Sequence, residues 1–328
     1  YWHLALNRNK KGIAIDLRTE AGKDILRKLM LTADVVLEGF RPGFMAKLGL
    51  DYATISKENP RLVYCSITGF GQTGQYKHKP AHDLNIVGLA GINSLDDVGN
   101  ACVVDIQVSA LGGSMNAVSG ILLALFARER TGQGQYVDVS LYNTALSMEA
   151  TAVSSLWGCQ ETGAEPFGRI AHYYNIYKTK DGKYLTVGTI EPKFWQELCR
   201  LIGRDDLGNR QFDFAHGEEL GQALAEVFLL KTLQEWLALI DDRDFCVTPV
   251  CSLAEALNSE LTSESGMIGV RDEDIGEIKY LQPAIKLSVT PGAIDRRAPR
   301  LGEHREEILN SLGYTVEEIT RLKEDHVI

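Results

Sequence analysis

The chain has few basic residues for its size and contains no long hydrophobic run. Lys and Arg total 34 against 44 Asp and Glu, which gives a formal net charge of −10. Because affinity for nucleic acid comes largely from basic side chains that neutralise phosphates, this balance argues against a nucleic-acid-binding protein. The longest apolar run, residues 120–126, is shorter than the roughly 20 residues of a membrane helix, and the chain starts without a basic-then-apolar leader. We therefore predict a cytoplasmic protein that does not bind membranes.

Paired cysteine motifs are also absent. The six cysteines lie far apart, and no two of them form a CxxC motif. Without such pairs we expect neither a metal ion nor a disulfide framework, and we interpret the cysteines as buried, reduced thiols. No GxSxG or GxxxxGK[ST] motif occurs, which argues against a serine hydrolase and a P-loop enzyme.

The first half of the chain alternates short apolar segments with amphipathic ones, which predicts an α/β fold with a parallel, doubly wound sheet. A length of 328 residues suggests two domains. Strands are predicted at 12–17, 34–38, 62–67 and 136–141, and helices at 19–30, 44–48, 113–130 and 142–157. We expect the helix over 113–130 to be buried.

The second half predicts a smaller α+β domain. Residues 158–169 are rich in Gly, Glu and Pro and are interpreted as a linker. A β-hairpin is predicted from 173–177 and 184–188, helices from 192–202 and 220–240, and a charged helical tail from 302–325.

Two neighbouring segments carry the strongest chemical signal. Residues 81–85 place His82 beside Asp83 at the start of an apolar run, and a small-residue turn follows at 108–113. A neutral imidazole can accept a proton near pH 7, so His82 is a candidate base, although a histidine held in the core is the alternative. Residues 69–74 fit GxGxxG, but the following segment ends in Pro80 and cannot readily open a helix. This pattern favours a turn that lets a ligand approach the backbone over a dinucleotide site.

Several segments together resemble the family III coenzyme A transferases of the CaiB/BaiF type, almost from end to end. They are residues 7–17, 40–43, 67–74, 81–83 and 298–304. Within that family, His82, Asp83 and the segment 188–192 are most similar to the α-methylacyl-CoA racemase branch.

This resemblance implies a Rossmann-like large domain with a parallel sheet, a smaller α+β domain, and a homodimer of two interlocked rings. Residues 1–160 would form the first part of the large, CoA-binding domain, 161–281 the small domain with its linkers, and 282–328 a segment returning to the large domain. Relatives carry a strand, a helix and a glycine-containing turn before the Asn7 segment. Either these residues precede Tyr1 in a longer chain, or they are naturally absent, in which case we expect a sheet strand and one basic phosphate contact to be missing.

The resemblance also implies the ligand. An acyl-CoA thioester would be the substrate, with coenzyme A as part of it and no covalently bound cofactor. Its adenosine would contact Ile15, Asp16, Leu17 and Arg18. Arg41 and Lys47 would bind its phosphates, unless they are solvated surface charges. Further contacts are expected from Ala81, Asp83, Leu84, Asn85 and Ile86. Apolar residues Ile86, Val87, Leu89 and Ile92 are compatible with a branched or fatty acyl chain, but equally with a core helix.

Epimerisation of a 2-methylacyl-CoA removes and returns the proton at C2, so each face of that carbon needs an acid or base. In relatives of the racemase branch a histidine and an aspartate have these roles, and here they correspond to His82 and Ala110. Glu191 would orient the imidazole, or it is only a carboxylate at a helix N-terminus. Asp105 could replace the missing aspartate only if the local register shifted.

Three hypotheses follow from this pattern. The first is a racemase-type isomerase impaired by Ala110, whether that residue is engineered or natural. The second is a CoA transferase that moves CoA between carboxylic acids and has lost its nucleophile at this position. The third is a CoA-ester-binding protein without turnover.

Overall fold

The computed structural model describes residues 1–93, 103, 105–162, 171–240, 243, 245–273 and 276–328. It divides into two compact units. Unit 1 contains Tyr1–Trp157 together with Ile294–Ile328, and unit 2 contains Gly158–Ala293. Unit 1 is therefore built from both ends of the chain, and unit 2 from its middle. The predicted assignment of CoA binding to one domain and the bounds at 160 and 281 stay predictions.

Helices and strands alternate through the described part of unit 1. In chain order, the helices of the described residues are α1 (Trp2–Leu6), α2 (Glu20–Thr32), α3 (Phe44–Lys47), α4 (Tyr52–Ile55), α5 (Asp83–Leu89), α6 (Val108–Thr131), α7 (Leu141–Met148), α8 (Ala150–Thr162), α9 (Pro192–Leu201), α10 (Gly217–Phe228), α11 (Leu233–Ile240), α12 (Leu253–Leu257), α13 (Glu260–Ser265), α14 (Arg305–Ser311) and α15 (Val316–Glu324). The strands are β1 (Val35–Glu38), β2 (Val63–Thr68), β3 (Tyr136–Ser140), β4 (Tyr174–Lys178), β5 (Tyr184–Gly188), β6 (Val247–Pro249), β7 (Ile268–Glu273) and β8 (Gly276–Leu281).

A parallel sheet in the order β1-β2-β3 forms the centre of unit 1, as the sequence predicts. Side chains alternate between its two faces. On one face Cys65, Val137 and Val139 pack against Ala117 of α6. Tyr64 and Tyr136, which are paired across β2 and β3, belong to the opposite face. Both faces of the sheet therefore pack against apolar side chains, since Tyr64 belongs to a buried cluster with Met45 and Leu50, and this second face also carries the tyrosine hydroxyls.

The predicted strand over residues 12–17 does not form. The backbone N–H of Asp16 donates to the carbonyl of Val327 (2.8 Å), and that of His304 donates to the carbonyl of Gly12 (2.9 Å). Irregular segments near the C-terminus thus satisfy these groups, and no neighbouring strand among the described residues pairs with them. The apolar side chains still serve the core, because Ile13 and Ile15 pack against a cluster that joins α2 to α14 and α15. The helical tail predicted at 302–325 is present as these last two helices.

The helix predicted over 113–130 is present as α6, but its predicted burial is wrong. Its buried face consists mainly of small residues, among them Ser109, Gly112, Gly113, Ala117 and Ala124. The large apolar side chains point to solvent and define the outer face of α6: Leu111, Met115, Val118, Leu122, Leu123 and Phe126, each 48–69% exposed. Close packing explains why the buried face of α6 carries small residues and the exposed face carries the large ones. A Cβ atom added at Gly113 would lie 2.3 Å from Leu141 Cδ2, so a larger residue on that side would require the Leu141 side chain to move.

Among the described helices, α6 alone is long and apolar enough to cross a membrane by length and composition. The longest unbroken apolar run is still residues 120–126, and α6 meets this criterion because the small and weakly polar residues on either side of that run extend its apolar length. The inner face of this helix nevertheless packs on β2, β3, α5 and α7. In its last turn Arg128 is buried, with Nη2 3.0 Å from Asp34 Oδ1.

Unit 2 contains an antiparallel sheet in the order β4-β5-β6, which includes the predicted hairpin. Its core is built around Trp195, Phe228 and Trp236. The single helix predicted over 220–240 is instead α10 and α11. The break has a local cause, because the Thr232 backbone N–H and hydroxyl both donate to the Glu235 carboxylate and start a new helix. The predicted linker is also partly wrong, since 158–162 are helical and 163–170 lie outside the described residues.

A buried histidine in unit 2 makes stability depend on pH. His172 is 3% exposed, its ring packs edge-on against Trp195, and its Nε2 has no hydrogen-bond partner within the described part of the chain. Burial lowers the pKa of this imidazole below its ordinary value of 6.5. The unfolded chain therefore binds more protons than the folded one below pH 6.5, and stability falls as the pH is lowered through that value.

We expect His172→Phe to flatten this dependence. The free energy of unfolding of the unmodified chain should lose up to about 1.4 kcal/mol per pH unit relative to the variant below pH 6.5. Urea unfolding at pH 7, 6 and 5 measures the difference, and His78→Phe is the control because His78 is exposed. Parallel curves for the unmodified chain and His172→Phe would contradict the assignment.

Candidate active site

His82 stands at the N-terminal boundary of α5 with an exposed side chain. Its backbone N–H donates to Asn85 Oδ1 (3.0 Å), which fixes the start of the helix. The glycine-rich turn after β2 precedes it, and Gly71 and Gly74 there adopt φ of +81°. The backbone N–H of Tyr142 donates to the Gly69 carbonyl (3.0 Å) and ties this turn to α7. His82 is thus accessible to a ligand, and the alternative of a core histidine is wrong.

Asp83 links the start of α5 to the start of α6. Its Oδ1 accepts a hydrogen bond from Ser109 Oγ (2.5 Å) and another from the backbone N–H of Ala110 (2.9 Å). Ser109 is fully buried, whereas Asp83 is half-buried. The carboxylate lies against the first turn of a 24-residue helix, where the helix dipole favours a negative charge. The structure therefore brings His82, Asp83 and the backbone of Ala110 together.

Ser109 is a site residue that sequence reasoning missed. It lies within the small-residue turn singled out at 108–113, but a serine in such a turn has no distinctive spacing. Only the packing of α5 against α6 shows that its hydroxyl faces a carboxylate. Ala110 presents a backbone N–H to the same carboxylate. Asp105, the candidate substitute, is exposed and precedes α6.

A cavity of about 420 Å³ opens beside α5 and is called the α5 cavity. Its lining combines aromatic and apolar side chains with the glycine-rich turn: Phe70, Thr73, Gly74, Gln75, Tyr76, Leu89 and Tyr142. Leu89 follows His82 by seven residues, so both lie on roughly the same side of the helix, about 10 Å apart along its axis. The sequence alone could not show that Leu89 lines a cavity, because its apolar neighbours Ile86 and Val87 are buried in the core.

A second cavity of about 300 Å³ lies in unit 1 near the end of β1 and is called the Arg41 cavity. Arg41 and Gln72 line it together with Glu38, Pro42, Gly43, Met45, Ala46, Asp51, Tyr52, Ala53, Tyr64, Ser66 and Tyr136. Burial raises the pKa of the Tyr64 and Tyr136 hydroxyls, which therefore stay protonated. Tyr136 donates to Ser66 Oγ (2.9 Å) and Tyr64 to the Leu50 carbonyl (3.2 Å). This cavity offers aromatic rings, hydrogen-bonding groups and one exposed guanidinium.

The segment predicted to contact adenosine forms a polar corner. Arg18 Nη2 lies 2.7 Å from Asp16 Oδ2, and Arg18 Nε donates to Asp16 Oδ1 (2.9 Å). This pairing holds the pKa of Asp16 at about 2, below its ordinary 3.8, and raises that of Arg18. Ile15 and Leu17 are half-buried beside the pair. The positive charge of Arg18 is largely balanced before any phosphate arrives.

The other predicted site residues fall into three environments. Lys47, Leu84 and Asn85 are exposed, and Ala81 is half-buried, so all four are accessible to a ligand. Ile86 is fully buried in the cluster beneath α5, which places its side chain in the core and not at a surface. Glu191 belongs to unit 2, where it precedes α9 with an exposed side chain and makes no capping hydrogen bond. Its predicted role in orienting His82 stays a prediction.

The described residues show no group of three or more His, Cys, Asp or Glu side chains that could hold a metal ion. The five cysteines in the described ranges are free, and Cys102 lies outside them. Only Cys65 and Cys199 of these five are fully buried, while Cys246 and Cys251 are exposed. The prediction of uniformly buried thiols is therefore wrong, because these last two flank the short edge strand β6.

Comparison with known proteins supplies the chemical context of this site. The family model described as CoA-transferase family III matches residues 1–305. The chain is 34% identical to alpha-methylacyl-CoA racemase from Homo sapiens, over 98% of the chain and 86% of the relative. It is 32% identical to succinyl-CoA–D-citramalate CoA-transferase from Chloroflexus aurantiacus, over 100% of the chain and 84% of the relative. The crystal structure of the hypothetical protein Rv3272 from Mycobacterium tuberculosis has a TM-score of 0.81 at 27% identity, covering 93% of this chain and 84% of that one.

Proposed function

The chain belongs to CoA-transferase family III, and from this we propose that it removes and returns the C2 proton of a 2-methylacyl-CoA thioester. The observation that supports this most is the exposed imidazole of His82, placed beside a fixed carboxylate and on the same helix as an apolar cavity. In this proposal the base is His82, the acyl group binds in the α5 cavity and the phosphates bind Arg41. All three belong to unit 1.

The proposed reaction needs no redox partner. His82 in its neutral form takes the C2 proton, and the electron pair of the C–H bond moves into the thioester to give an enolate. Return of a proton to C2 restores the thioester, and its configuration depends on the face that is protonated. An imidazole suits this step because it can both accept and release a proton near neutral pH.

We assign the phosphates of coenzyme A to Arg41. Its guanidinium is exposed at the rim of the Arg41 cavity and can bind a phosphate through two hydrogen bonds. Arg18 is the weaker candidate, since its Nε and Nη2 already donate to the Asp16 carboxylate. The carboxylates of Glu38 and Asp51 also line the cavity, so phosphate binds at the rim and not inside.

We assign the acyl chain to the α5 cavity, which predicts a preference for long apolar acyl groups. Leu89 is 57% exposed, so Leu89→Asp should leave the fold intact while placing a charge in the cavity. KM for 2-methyldecanoyl-CoA should rise at least about tenfold, because each buried CH₂ contributes about 0.8 kcal/mol. KM for 2-methylbutanoyl-CoA should change little.

Val316→Asp is the matched control for Leu89→Asp, since Val316 is also an exposed apolar residue of unit 1. Steady-state kinetics on both substrates measure the effect. An equal change in KM for the short and the long substrate would show that the acyl chain does not bind in the α5 cavity.

The function itself is tested by incubating each epimer of 2-methyldecanoyl-CoA with the protein in D₂O. Deuterium at C2, measured by mass spectrometry, is the expected result for at least the epimer whose C2 hydrogen faces His82. Saturable CoA-ester binding without any deuterium incorporation would replace the proposal with a binding protein that has no turnover.

CoA transfer is the second candidate, because several relatives at 30–32% identity carry CoA-transferase names. The resemblance to such enzymes puts their nucleophilic carboxylate at Ala110, whose side chain cannot form an acyl anhydride. We expect no new acyl-CoA when the chain is given an acyl-CoA and a free carboxylic acid. Transfer by the chain as it stands, or an enzyme-bound CoA thioester trapped in Ala110→Asp together with absent proton exchange, would favour this candidate.

A further inference from the structure

We propose that Asp83 is the second acid–base group of the site and acts on the face of C2 opposite His82. This inference rests on the proposed proton exchange at C2. It addresses the gap left by Ala110, whose methyl side chain cannot carry a proton.

The hydrogen bonds of Asp83 leave one oxygen available. Ser109 Oγ and the Ala110 N–H both donate to Oδ1, at 2.5 and 2.9 Å. Within the described part of the chain, Oδ2 makes no hydrogen bond. A carboxylate whose one oxygen is fixed and whose other oxygen is free has a defined direction for proton transfer. Asp83 is also half-buried and so accessible, whereas Ser109 is fully buried behind it.

The position of Asp83 in the chain suits it for work beside His82. Consecutive Cα atoms across a trans peptide lie about 3.8 Å apart, so the two side chains start from adjacent points of the surface. His82 precedes the first helical residue and has an extended backbone, with φ −105° and ψ 173°, so its side chain and that of Asp83 leave the chain in different directions. A carbon atom placed between the two side chains can therefore meet the imidazole on one side and the carboxylate on the other.

The proton balance closes without another reactant. When the Asp83 carboxylate takes the proton from one epimer, the C–H electron pair enters the enolate, and the imidazolium of His82 delivers its proton to the opposite face. The products are the other epimer, a protonated Asp83 and a neutral imidazole, from which the opposite conversion starts. The reverse reaction or exchange with water restores the starting protonation. Ser109 is a positioning residue in this scheme, because it touches Asp83 and not the substrate.

Deuterium incorporation measured separately for each epimer tests the assignment. The unmodified chain should exchange both epimers and interconvert them. Asp83→Asn keeps the size of the side chain and an acceptor for Ser109, and it should slow exchange of one epimer by about 10² to 10⁴ while sparing the other. Asp83→Glu should retain more exchange of that epimer than Asp83→Asn, and Ser109→Ala should slow the same epimer by a smaller factor.

A purely structural role for Asp83 predicts a different pattern. Loss of the contact between α5 and α6 would slow both epimers alike and lower the melting temperature, and that result would overturn the proposal. Exchange of only one epimer by the unmodified chain would also overturn it while leaving His82 as a base. If the unmodified chain exchanges neither epimer but still binds the CoA ester, the proposed function and this inference both fail.

Discussion

His82→Asn should lower the rate of deuterium exchange at C2 by about 10² to 10⁴ for the epimer whose hydrogen faces the imidazole. Interconversion of the epimers should fall by the same factor, since it needs proton transfer on both faces. Asn keeps a polar side chain at the start of α5, and the backbone N–H that donates to Asn85 is unchanged. Affinity for the CoA ester should therefore stay close to that of the unmodified chain.

His78→Asn is the matched control for His82→Asn. His78 lies four residues earlier, beyond Pro80, and is not among the buried residues of the chain. Exchange is measured by mass spectrometry in D₂O and affinity by titration calorimetry with a non-exchanging acyl-CoA. If His82→Asn lowers the rate of deuterium exchange at C2 less than threefold, the imidazole of His82 does not transfer the C2 proton.

Charged substitutions on the outer face of α6 should halve the molecular mass of the protein in solution, because they should separate a dimer into monomers. Six large apolar side chains line this face at 48–69% exposure, and a contiguous apolar surface of this kind marks an interaction site. We propose that a second copy of the chain covers it. The inner face of α6 packs on the parallel sheet, and its last turn is held by the ion pair of buried Arg128 with Asp34. An arrangement of this kind favours a protein partner over a lipid bilayer.

The expected mass of the unmodified chain is about twice 36.2 kDa. Leu122→Asp with Leu123→Asp should give the monomer mass in light scattering, because two charges per copy would be buried unpaired. Leu301→Asp alters an even more exposed apolar residue of unit 1 away from α6 and should not change the mass. A monomeric unmodified chain would contradict the proposal, and binding to liposomes would favour a membrane instead.

Much of the fold could be predicted because its signals are local. The side chain of Thr19 accepts a hydrogen bond from the Gly22 N–H at the start of α2, as its capping role predicts. Apolar segments bounded by turns predicted β1, β2 and β3 to within one residue at each end. Residues 12–17 have the same apolar pattern and form no strand, because pairing depends on a neighbour that local sequence does not specify.

The candidate site was predictable only as a set of residue types. His82, Asp83 and Arg41 could be named from their motifs, and the structure leaves both His82 and Arg41 exposed. The contact of Ser109 with Asp83 spans 26 positions and depends on how closely two helices approach. The α5 cavity, which Leu89 and Tyr142 both line, likewise depends on how segments distant in the chain pack together. Such contacts have no sequence period, so no pattern along the chain could indicate them.

By itself, the sequence determined the alternation of strands and helices, the excess of negative charge, and an imidazole–carboxylate pair at the start of a helix. These properties depend on residues a few positions apart, which interact in the same way in many folds. The tertiary structure decided which face of α6 is buried and which oxygen of Asp83 is held by hydrogen bonds. Both depend on close packing between segments distant in the chain, where the small volumes of Gly113 and Ser109 set the distance between the helices and the groups they pack against.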